Sequence, residues 1–305
     1  MDTPPKQIDP LSAGRSIGAI LIDLGILSIE NAERILHTQN ELGLRFGEAA
    51  LQLGLLTVHD IQLALARQYD YPYLVRREHE GEVADELVAA YEPFSHQVET
   101  LRALRSQLML RWFTGEPEQR TLVVASPGRG DGRSYLAANL AVVFSQLGEH
   151  TLLIDADLRN PRQHELFKLD NRTGLSSILS GRAEASDIRR VPTFIDLSVL
   201  VAGPQPPNPQ ELLGRPIFSR LLEELVREFD VIIIDTPAGS EYADVQTTAV
   251  RASGALVLAR NNQTSVNSFR ELVKNLTHAG VAVVGSVFND PPRRAKGKRA
   301  SGGQR

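Results

Sequence analysis

The sequence predicts an α/β fold: a mostly parallel sheet with helices on both faces, preceded by a small all-α domain. From about residue 121 onward, short apolar runs alternate with helical stretches, which is typical of such a sheet. Three of those runs end in a glycine-rich or an acidic motif. Before them, residues 16–68 contain an internal repeat with helical periodicity, which predicts the separate helical domain.

The composition limits the chemistry that the chain can perform. It has 305 residues, which suggests two domains, and its formal charge is −4. It contains no cysteine, so disulfides, thiolate catalysis and cysteine-based zinc sites are excluded. Residues 291–305 carry six basic side chains and no acidic one, and we expect a disordered basic tail. The remaining chain is acidic, so nucleic acid is not an expected partner.

Targeting signals are not visible in the sequence. The N-terminus lacks a basic segment followed by an apolar core, and the longest apolar stretch, residues 17–29, is interrupted by Asp23. We therefore expect a cytoplasmic protein, at most peripheral to the inner membrane. A weaker hypothesis is that the basic tail is attracted to anionic lipid.

The internal repeat relates residues 16–25 to residues 45–54, with each matching position 29 residues further on. Each unit predicts a short helix, a glycine turn and a longer helix, and Ser28 and Thr57 are the predicted N-caps of the longer helices. Neither unit could bury its apolar face alone. We therefore expect the two units to pack together as one domain over residues 1–75.

This repeat resembles the N-terminal domain of type II secretion and pilus-assembly ATPases, which carries the same paired arginine–glycine units. Some members of that family bind cyclic di-GMP, so the resemblance implies a possible dinucleotide site at Arg15, Gly18, Arg45 and Gly47. In the first unit Ser16 takes the arginine position and Arg15 comes one residue early. The alternative, which the sequence favours, is a protein-docking module whose glycines only permit tight turns.

Residues 76–94 are charge-rich with little periodicity, and we expect a linker there. A helix is predicted from Ser95, at the start of a second domain over residues 95–290. On this helix Glu99, Arg102 and Arg105 recur every three residues. Without further context, such a pattern indicates a solvated face of paired charges.

The second domain contains six predicted strands and several helices. The predicted strands are 121–125, 151–154, 197–201, 231–234, 255–259 and 281–287. The predicted helices lie near 162–180, 210–228, 243–252 and 265–279. In parallel sheets ligands bind at the carboxyl ends of the strands, where the glycine and acidic motifs of this chain fall.

The stretch from Thr121 to Leu140 predicts a phosphate-binding loop between a strand and a helix. Free backbone N–H groups and the positive end of the helix dipole would converge there on an anion. The predicted nucleotide-binding residues are Gly128, Gly130, Asp131, Gly132, Arg133, Ser134 and Tyr135. Arg133 stands where a Walker A motif has lysine. Arginine keeps the charge but has a different shape and reach.

Acidic residues at two other strand ends predict phosphoryl-transfer chemistry with magnesium. Ser134, Asp157 and Asp235 are the predicted Mg²⁺ ligands, because Mg²⁺ takes hard oxygens and retains water. Asp155 and Asp157 follow one strand; one could hold a metal-bound water while the other accepts the proton of the attacking hydroxyl. With Arg133 they form the predicted catalytic set. The alternative for the two aspartates is helix capping in an ordinary α/β loop.

The segments LLIDADLRNP (152–161), GPQPPNPQELL (203–213) and VIIIDTPAG (231–239) resemble bacterial protein-tyrosine kinases of polysaccharide synthesis. The closest resemblance is to the exopolysaccharide chain-length-determinant tyrosine kinases of the EpsG type. It implies a P-loop NTPase-like fold, ATP and Mg²⁺ as cofactors, and tyrosine phosphorylation that controls exopolysaccharide chain length or export. It also implies self-association through Glu99, Arg102 and Arg105, and a membrane chain-length-determinant protein whose cytoplasmic tail activates the kinase.

Two other functions remain open from the sequence. One is a regulatory adaptor of a polysaccharide export complex, which binds nucleotide or senses cyclic di-GMP without kinase activity. The other is a partitioning-type ATPase, although such proteins carry an additional lysine where this chain has Gly128 or Arg129. Kinases of the resembled group usually end in a tyrosine cluster. Here the tyrosines are at positions 69, 71, 73, 91, 135 and 242, so none lies in the tail.

Overall fold

The computed structural model describes residues 16–68, 74, 81–184 and 187–291. Arg15 and the basic tail from residue 292 lie outside the described residues. The internal repeat forms four helices, which are α1 (Ile17–Asp23), α2 (Ile29–Leu42), α3 (Phe46–Gln52) and α4 (Val58–Gln68). Ser28 Oγ accepts from Asn31 N at 3.2 Å, and Thr57 Oγ1 accepts from Asp60 N at 3.2 Å, so both predicted N-caps are confirmed.

The short helix of each repeat unit packs against the long helix of the other unit: α1 contacts α4, and α2 contacts α3. Two glycines permit this close approach. A Cβ atom on Gly18 would lie 3.1 Å from the Phe46 ring, and one on Gly47 would lie 3.3 Å from Ile61. Both glycines are therefore explained by the close packing of these helices. Arg45 is exposed at the start of α3, and its N–H donates to the Glu48 carboxylate at 2.9 Å.

Not all of the apolar side chains on α2 are buried. Ile35 is fully buried, but Ile29 is 67% exposed and Leu36 is 48% exposed. Ala32 and Ile35 face the apolar core of the helical unit, whereas Ile29 and Leu36 are not part of it. The two side chains outside this core are therefore left exposed.

Seven strands in the described part of the chain form one sheet in the order β3-β4-β2-β5-β1-β6-β7. They are β1 (Thr121–Ala125), β2 (Thr151–Asp155), β3 (Arg189–Arg190), β4 (Leu197–Leu200), β5 (Val231–Asp235), β6 (Gly254–Arg260) and β7 (Ala282–Asn289). All neighbours pair in parallel except β3 and β4. The mostly parallel sheet of the prediction is confirmed; the short antiparallel β3 was not predicted.

Helices cover both faces of the sheet. They are α5 (Val88–Tyr91), α6 (His96–Arg111), α7 (Arg133–Ser145), α8 (Gln163–Leu166), α9 (Leu175–Leu179), α10 (Pro209–Gly214), α11 (Pro216–Leu225), α12 (Asp244–Ala252) and α13 (Val266–His278). Alternate strand residues face opposite sides. Leu122 and Val124 pack with α6 and α7, whereas Val123 and Ala125 pack with α11, α12 and α13.

Two predicted helices are each divided in two. The stretch 162–180 forms α8 and α9, because the chain passes close to the end of β4 between them. A Cβ atom on Gly174 would lie only 2.2 Å from the Val201 carbonyl oxygen. The stretch 210–228 forms α10 and α11, because Arg215 is extended before Pro216, as the residue before a proline prefers to be.

Part of the stretch predicted as a linker is buried against the sheet domain. Val83, Leu87 and Tyr91 are at most 3% exposed and belong to the same apolar core as α7. Asn139 of α7 accepts from Ala89 N at 3.0 Å and donates to the Glu86 carbonyl oxygen at 3.1 Å. The domain boundaries remain a prediction, but these residues do not form an exposed connection.

None of the helices among the described residues is long and apolar enough to span a bilayer.

Candidate active site

The loop from Ser126 to Gly132 joins β1 to α7 and takes the form of an anion cradle. Gly130 and Gly132 have φ angles of +74° and +107°, which side chains other than glycine rarely adopt. A Cβ atom on Gly132 would lie 2.6 Å from Asn289 Nδ2. The glycines therefore let the backbone turn tightly before α7, whose N-terminus carries Arg133 and Ser134.

Arg133 is buried and links the loop to the end of β5. Its Nε donates to the Thr236 carbonyl oxygen at 2.8 Å, and its Nη1 donates to the Gly128 carbonyl oxygen at 2.6 Å and to Ser126 Oγ. The planar guanidinium directs Nε and Nη1 in different directions within one plane, whereas lysine carries all of its donors on one nitrogen. The bonds of Arg133 therefore make use of the shape of the arginine side chain.

Asp131 closes the loop from inside. Its carboxylate is fully buried; Oδ2 accepts from Gly128 N at 2.7 Å, and Oδ1 accepts from Thr264 Oγ1 at 2.9 Å. Asp131, which the sequence predicts to contact nucleotide, thus stabilises the loop through hydrogen bonds in this structure.

Three side chains that the sequence analysis missed hold the outer carbonyl groups of the loop. Gln263 Nε2 donates to the Arg129 carbonyl oxygen at 2.5 Å, Arg260 Nη1 to that of Gly130 at 2.5 Å, and Asn289 Nδ2 to that of Asp131 at 2.8 Å. All three follow or end β6 and β7. No motif marks them, because more than 100 residues separate them from the loop.

Asp155 is fully buried at the end of β2. Oδ2 accepts from Arg162 N and Gln163 N at 2.9 Å each, and Oδ1 accepts from Asp157 N at 3.2 Å. Burial, followed by the neighbouring Asp235 carboxylate, raises the pKa of Asp155 well above its usual value. The capping role that the sequence left open is therefore present at Asp155, at the start of α8.

Asp157 is differently placed. Its Oδ1 accepts from Arg159 N at 3.2 Å and from Asn160 N at 2.9 Å, and Oδ2 receives neither bond. Asp157 is 6% exposed, whereas Asp155 is fully buried, so Asp157 is the more accessible of the two aspartates. Of the two aspartates after β2, it is the better placed to meet a substrate.

Asp235 lies opposite Asp155 in the register of β2 and β5. Its Oδ2 accepts from Gln163 Nε2 at 2.8 Å, whereas the buried Oδ1 has no hydrogen-bond partner. Burial raises the pKa of Asp235 to about 6, and the nearby polar side chains of Ser134 and Gln163 oppose that rise. Gln163 was not predicted from the sequence, although it lies at the centre of this cluster.

Comparison with known proteins shows the family to which this chain belongs. A family model described as ParA, NUBPL iron-transfer P-loop NTPase, matches residues 118–291. The Staphylococcus aureus protein CapB is 36% identical over 66% of this chain and 87% of its own length. The tyrosine-protein kinase YwqD of Bacillus subtilis is 32% identical over 67% of this chain and 85% of its own length.

The chain belongs to the bacterial tyrosine-protein kinases.

Its sheet domain has the P-loop NTPase fold. The solved kinase domain of the Escherichia coli tyrosine kinase ETK is 30% identical, with a TM-score of 0.66, and the match covers 73% of this chain and 86% of that one. In longer relatives, such as the tyrosine-protein kinase Wzc of Salmonella typhimurium, the match covers 29% of the relative. The predicted family and fold class are thus confirmed for the kinase domain. The resemblance of residues 16–68 to secretion ATPases remains a prediction.

The kinase site fits a magnesium ion held partly by water and substrate. Asp235 Oδ1 is a buried carboxylate oxygen without a partner, which is costly unless a ligand satisfies it. No cluster of three or more histidine, aspartate or glutamate side chains suited to a metal occurs within the described ranges. Mg²⁺ does not need one, because it keeps several waters and binds substrate phosphates.

Two further predicted residue sets have defined positions in the kinase. Tyr135 accepts a hydrogen bond from Gln97 Nε2 at 2.7 Å, and burial, with the Glu92 and Glu86 carboxylates, raises its pKa to about 12.

On α6, Arg102 pairs with Glu99 at 3.1 Å, and Arg105 Nη1 donates to the Val143 carbonyl oxygen at 2.5 Å. The predicted role of α6 in self-association remains a prediction.

Proposed function

We propose that this protein is a Mg-ATP-dependent protein-tyrosine kinase that controls exopolysaccharide chain length or export. The single observation that best supports the proposal is the unpartnered Oδ1 of the buried Asp235, next to the N-terminus of a glycine-loop helix. A protein that only needed a stable fold would gain from asparagine or an apolar residue at this position. A buried carboxylate oxygen that no protein group satisfies is a candidate ligand for a cation.

The proposed chemistry uses the chain's own groups as follows. The N–H groups of the loop and of the first turn of α7 bind the β- and γ-phosphates, and the buried charge of Arg133 stabilises them. Asp157 accepts the proton of the attacking tyrosine hydroxyl. Ser134 and Asp235 would hold Mg²⁺, with Asp157 reaching it only through a metal-bound water, and the ion would supply neutralisation of the charge on the phosphate oxygens. Asp155 orients the loop that carries Asp157.

Gln163 positions Asp235 in this scheme. It donates to Oδ2 at 2.8 Å and to the Ser134 carbonyl oxygen at 3.2 Å, so it fixes the carboxylate relative to the first turn of α7. Because its own N–H donates to Asp155, it also joins the two buried aspartates. A change at Gln163 should therefore affect Mg²⁺ affinity more than folding.

The test separates a kinase from an ATPase or an adaptor. Equilibrium binding of ADP with and without Mg²⁺ is measured first, followed by transfer of labelled phosphate from ATP to a tyrosine-containing peptide and to water. We expect Mg²⁺-dependent binding and transfer to tyrosine, abolished in Asp157→Asn. Asp170→Asn is the matched control, because Asp170 is a surface residue paired with Arg172. Release of free phosphate alone would indicate a partitioning-type ATPase, and absence of Mg²⁺-dependent binding would contradict the proposal.

The proposed cellular arrangement is a cytoplasmic kinase brought to the inner membrane by a partner. That partner would be a membrane chain-length-determinant protein whose cytoplasmic tail activates the kinase, and self-association would involve Glu99, Arg102 and Arg105. Two observations support an accessible α6: Glu99 is exposed, and Leu110 on the same helix is 77% exposed. Reversal of the charge in Glu99→Arg should weaken self-association, as measured by sedimentation. Addition of Arg102→Glu to the same chain should restore it.

For the helical unit of residues 16–68, we propose docking to another protein as its function. The supporting observation is a set of exposed apolar side chains on these helices, namely Ile29, Leu36, Leu42, Leu51 and Val58. Cyclic di-GMP binding is the second candidate, since Arg45 is exposed beside Gly47. Titration of the full chain with labelled cyclic di-GMP distinguishes them. Saturable binding lost in Arg45→Ala would favour the dinucleotide, and its absence would favour docking.

A further inference from the structure

Tyr242 lies between two arginines of the active-site loops. Nη2 of Arg129, a residue of the phosphate-binding loop, donates to the Tyr242 hydroxyl oxygen at 3.2 Å. The guanidinium carbon of Arg159, from the loop that carries Asp157, lies 3.8 Å from the centre of the Tyr242 ring. A phenol on the loop after β5 is thus in contact with the loops that follow β1 and β2.

Both arginines are fixed by carboxylates of the same segment. Arg159 makes two hydrogen bonds to the buried Asp244, Nε to Oδ2 at 2.7 Å and Nη2 to Oδ1 at 3.2 Å. Arg129 Nε donates to Glu241 Oε2 at 2.8 Å, and this pair is solvent-exposed on both sides. The Arg159–Asp244 pair is therefore a rigid support, whereas the exposed Arg129–Glu241 pair can exchange partners at little cost.

The other tyrosines in the described part of the chain are less suited to modification. Tyr91 is 3% exposed, and its hydroxyl donates to the Val83 carbonyl oxygen at 3.1 Å. Tyr135 is partly buried and its hydroxyl accepts from Gln97, but the nearby Glu92 and Glu86 carboxylates would repel a phosphate there. Tyr242 is half-buried, and residues 239–243 line a surface cleft of about 320 Å³ that leaves room for a substituent.

We propose that Tyr242 is a phosphorylation site of this kinase, and that Arg129 and Arg159 hold the phosphotyrosine product. The inference rests on the proposed kinase function and names an acceptor within the chain itself. The Arg129 bond ends on the lone pair of the phenolic oxygen, so the hydroxyl proton stays free to be removed. Arg129, which already donates to the hydroxyl oxygen, would pair with the added phosphate, while Arg159 stays on the face of the ring and fixes its position.

The transfer balances without any further reactant. The Tyr242 hydroxyl oxygen forms a bond to the γ-phosphorus of ATP, and the bond from that phosphorus to the β,γ-bridging oxygen breaks. ADP leaves with the electron pair, and the phenolic proton passes to Asp157. The proposal identifies the acceptor residue only. Transfer within one chain and transfer between two copies would both place the phosphate on Tyr242.

The product would change the ion pairs of the loop. A phosphate carries nearly two negative charges at neutral pH and would compete with Glu241 for Arg129. Because Arg129 lies between Gly128 and Gly130, that exchange would act directly on the phosphate-binding loop. We therefore expect phosphorylation of Tyr242 to change the affinity of the loop for ADP.

The experiment maps phosphate on the full chain purified from the cells in which it is native. Peptides covering all six tyrosines are analysed by tandem mass spectrometry, for the unaltered chain and for Tyr242→Phe. A second variant, with Tyr69, Tyr71 and Tyr73 all changed to phenylalanine, tests the rival acceptors. Each protein is also assayed for transfer of phosphate from Mg-ATP to an external tyrosine peptide.

The expected result is phosphate on the Tyr242 peptide, at least tenfold less total phosphotyrosine in Tyr242→Phe, and no such loss in the triple variant. Transfer to the external peptide should remain detectable in Tyr242→Phe, because this variant loses the acceptor oxygen and the bond from Arg129 but no group of the proposed catalytic set. Phosphate found only on other tyrosines would overturn the assignment of Tyr242 and leave the kinase function standing. Phosphate on neither the chain nor the peptide would overturn both.

Discussion

The Nη1 atom of Arg133 donates a hydrogen bond to the carbonyl oxygen of Gly128 at 2.6 Å, across the base of the phosphate-binding loop. The same guanidinium reaches the Thr236 carbonyl oxygen through Nε at 2.8 Å. Arg133 therefore joins the loop after β1 to the end of β5. These bonds predict a loop that is adapted to arginine rather than a lysine loop impaired by one substitution.

Arg133→Lys should lower both the stability of the loop and the transfer of phosphate. A lysine ammonium can replace one or two of the bonds but cannot direct donors to both sides of the loop. Hydrogen bonds to charged groups contribute about 1.5–3 kcal/mol each, so the loss of one would reduce transfer by about tenfold or more. Labelled-phosphate transfer to a tyrosine peptide measures this effect. A gain of activity in Arg133→Lys would show instead that the arginine loop is degenerate.

Asp235→Asn should stabilise the metal-free chain at neutral pH while abolishing Mg²⁺-dependent transfer. Burial raises the pKa of Asp235 to about 6, so the folded chain binds this proton more tightly than the unfolded chain does. Stability is therefore lost as the pH rises from about 4 to about 6. From the shift above the ordinary value, the loss is up to about 3 kcal/mol. Asparagine at position 235 does not ionise, so the variant does not suffer this loss of stability.

The measurement for this prediction is urea unfolding in the presence of a chelator at pH 4.5 and pH 7.5. The advantage of Asp235→Asn over the unaltered chain should be larger at pH 7.5. Asp170→Asn, at an exposed position, should show a change within about 0.5 kcal/mol at pH 7.5. An equal effect of Asp235→Asn at both pH values would contradict a raised pKa at Asp235.

Gly132→Ala should impair nucleotide binding more than the same change at Gly148. Both glycines have positive φ angles, +107° and +92°, so both substitutions strain the backbone by about 1–2 kcal/mol. Only at Gly132 does the added Cβ meet another group, Asn289 Nδ2 at 2.6 Å, whereas nothing lies within 4 Å at Gly148. Calorimetric titration with Mg-ADP measures the difference. Equal affinities of the two variants would show that the contact with Asn289 is easily displaced.

Leu87→Ala should destabilise the kinase domain, although the sequence places Leu87 in a charge-rich linker. Its side chain is fully buried in the core that includes α7, and truncation of such a leucine costs about 2–5 kcal/mol. Leu110→Ala is the matched control, because Leu110 is 77% exposed and its loss should change stability by about 0.5 kcal/mol or less. Chemical unfolding followed by tryptophan fluorescence of Trp112 compares the two. A small change in stability for Leu87→Ala would show that this segment contributes little to the core, as a linker would.

The strand pattern was predictable because a parallel sheet covered on both faces demands continuous apolar runs. Thr121–Ala125 has the predicted bounds, and the runs ending at Asp155 and Asp235 extend one residue further than predicted. The pairing Asp155↔Asp235 then follows from parallel register. The antiparallel β3 was missed because Arg189–Arg190 has no apolar periodicity. Its strand conformation comes from pairing with β4.

What the sequence by itself determined is the class of chemistry: strand, glycine loop and helix start, with aspartates at two other strand ends. These signals are local, since each is carried by a few consecutive residues. Only the tertiary structure decided which groups those residues meet. Gln163 at Asp235, the clamp of Arg260, Gln263 and Asn289 on the loop, and Tyr242 between Arg129 and Arg159 are contacts over long separations. Such contacts leave no periodicity in the chain, because they exist only once the sheet has brought its strand ends together.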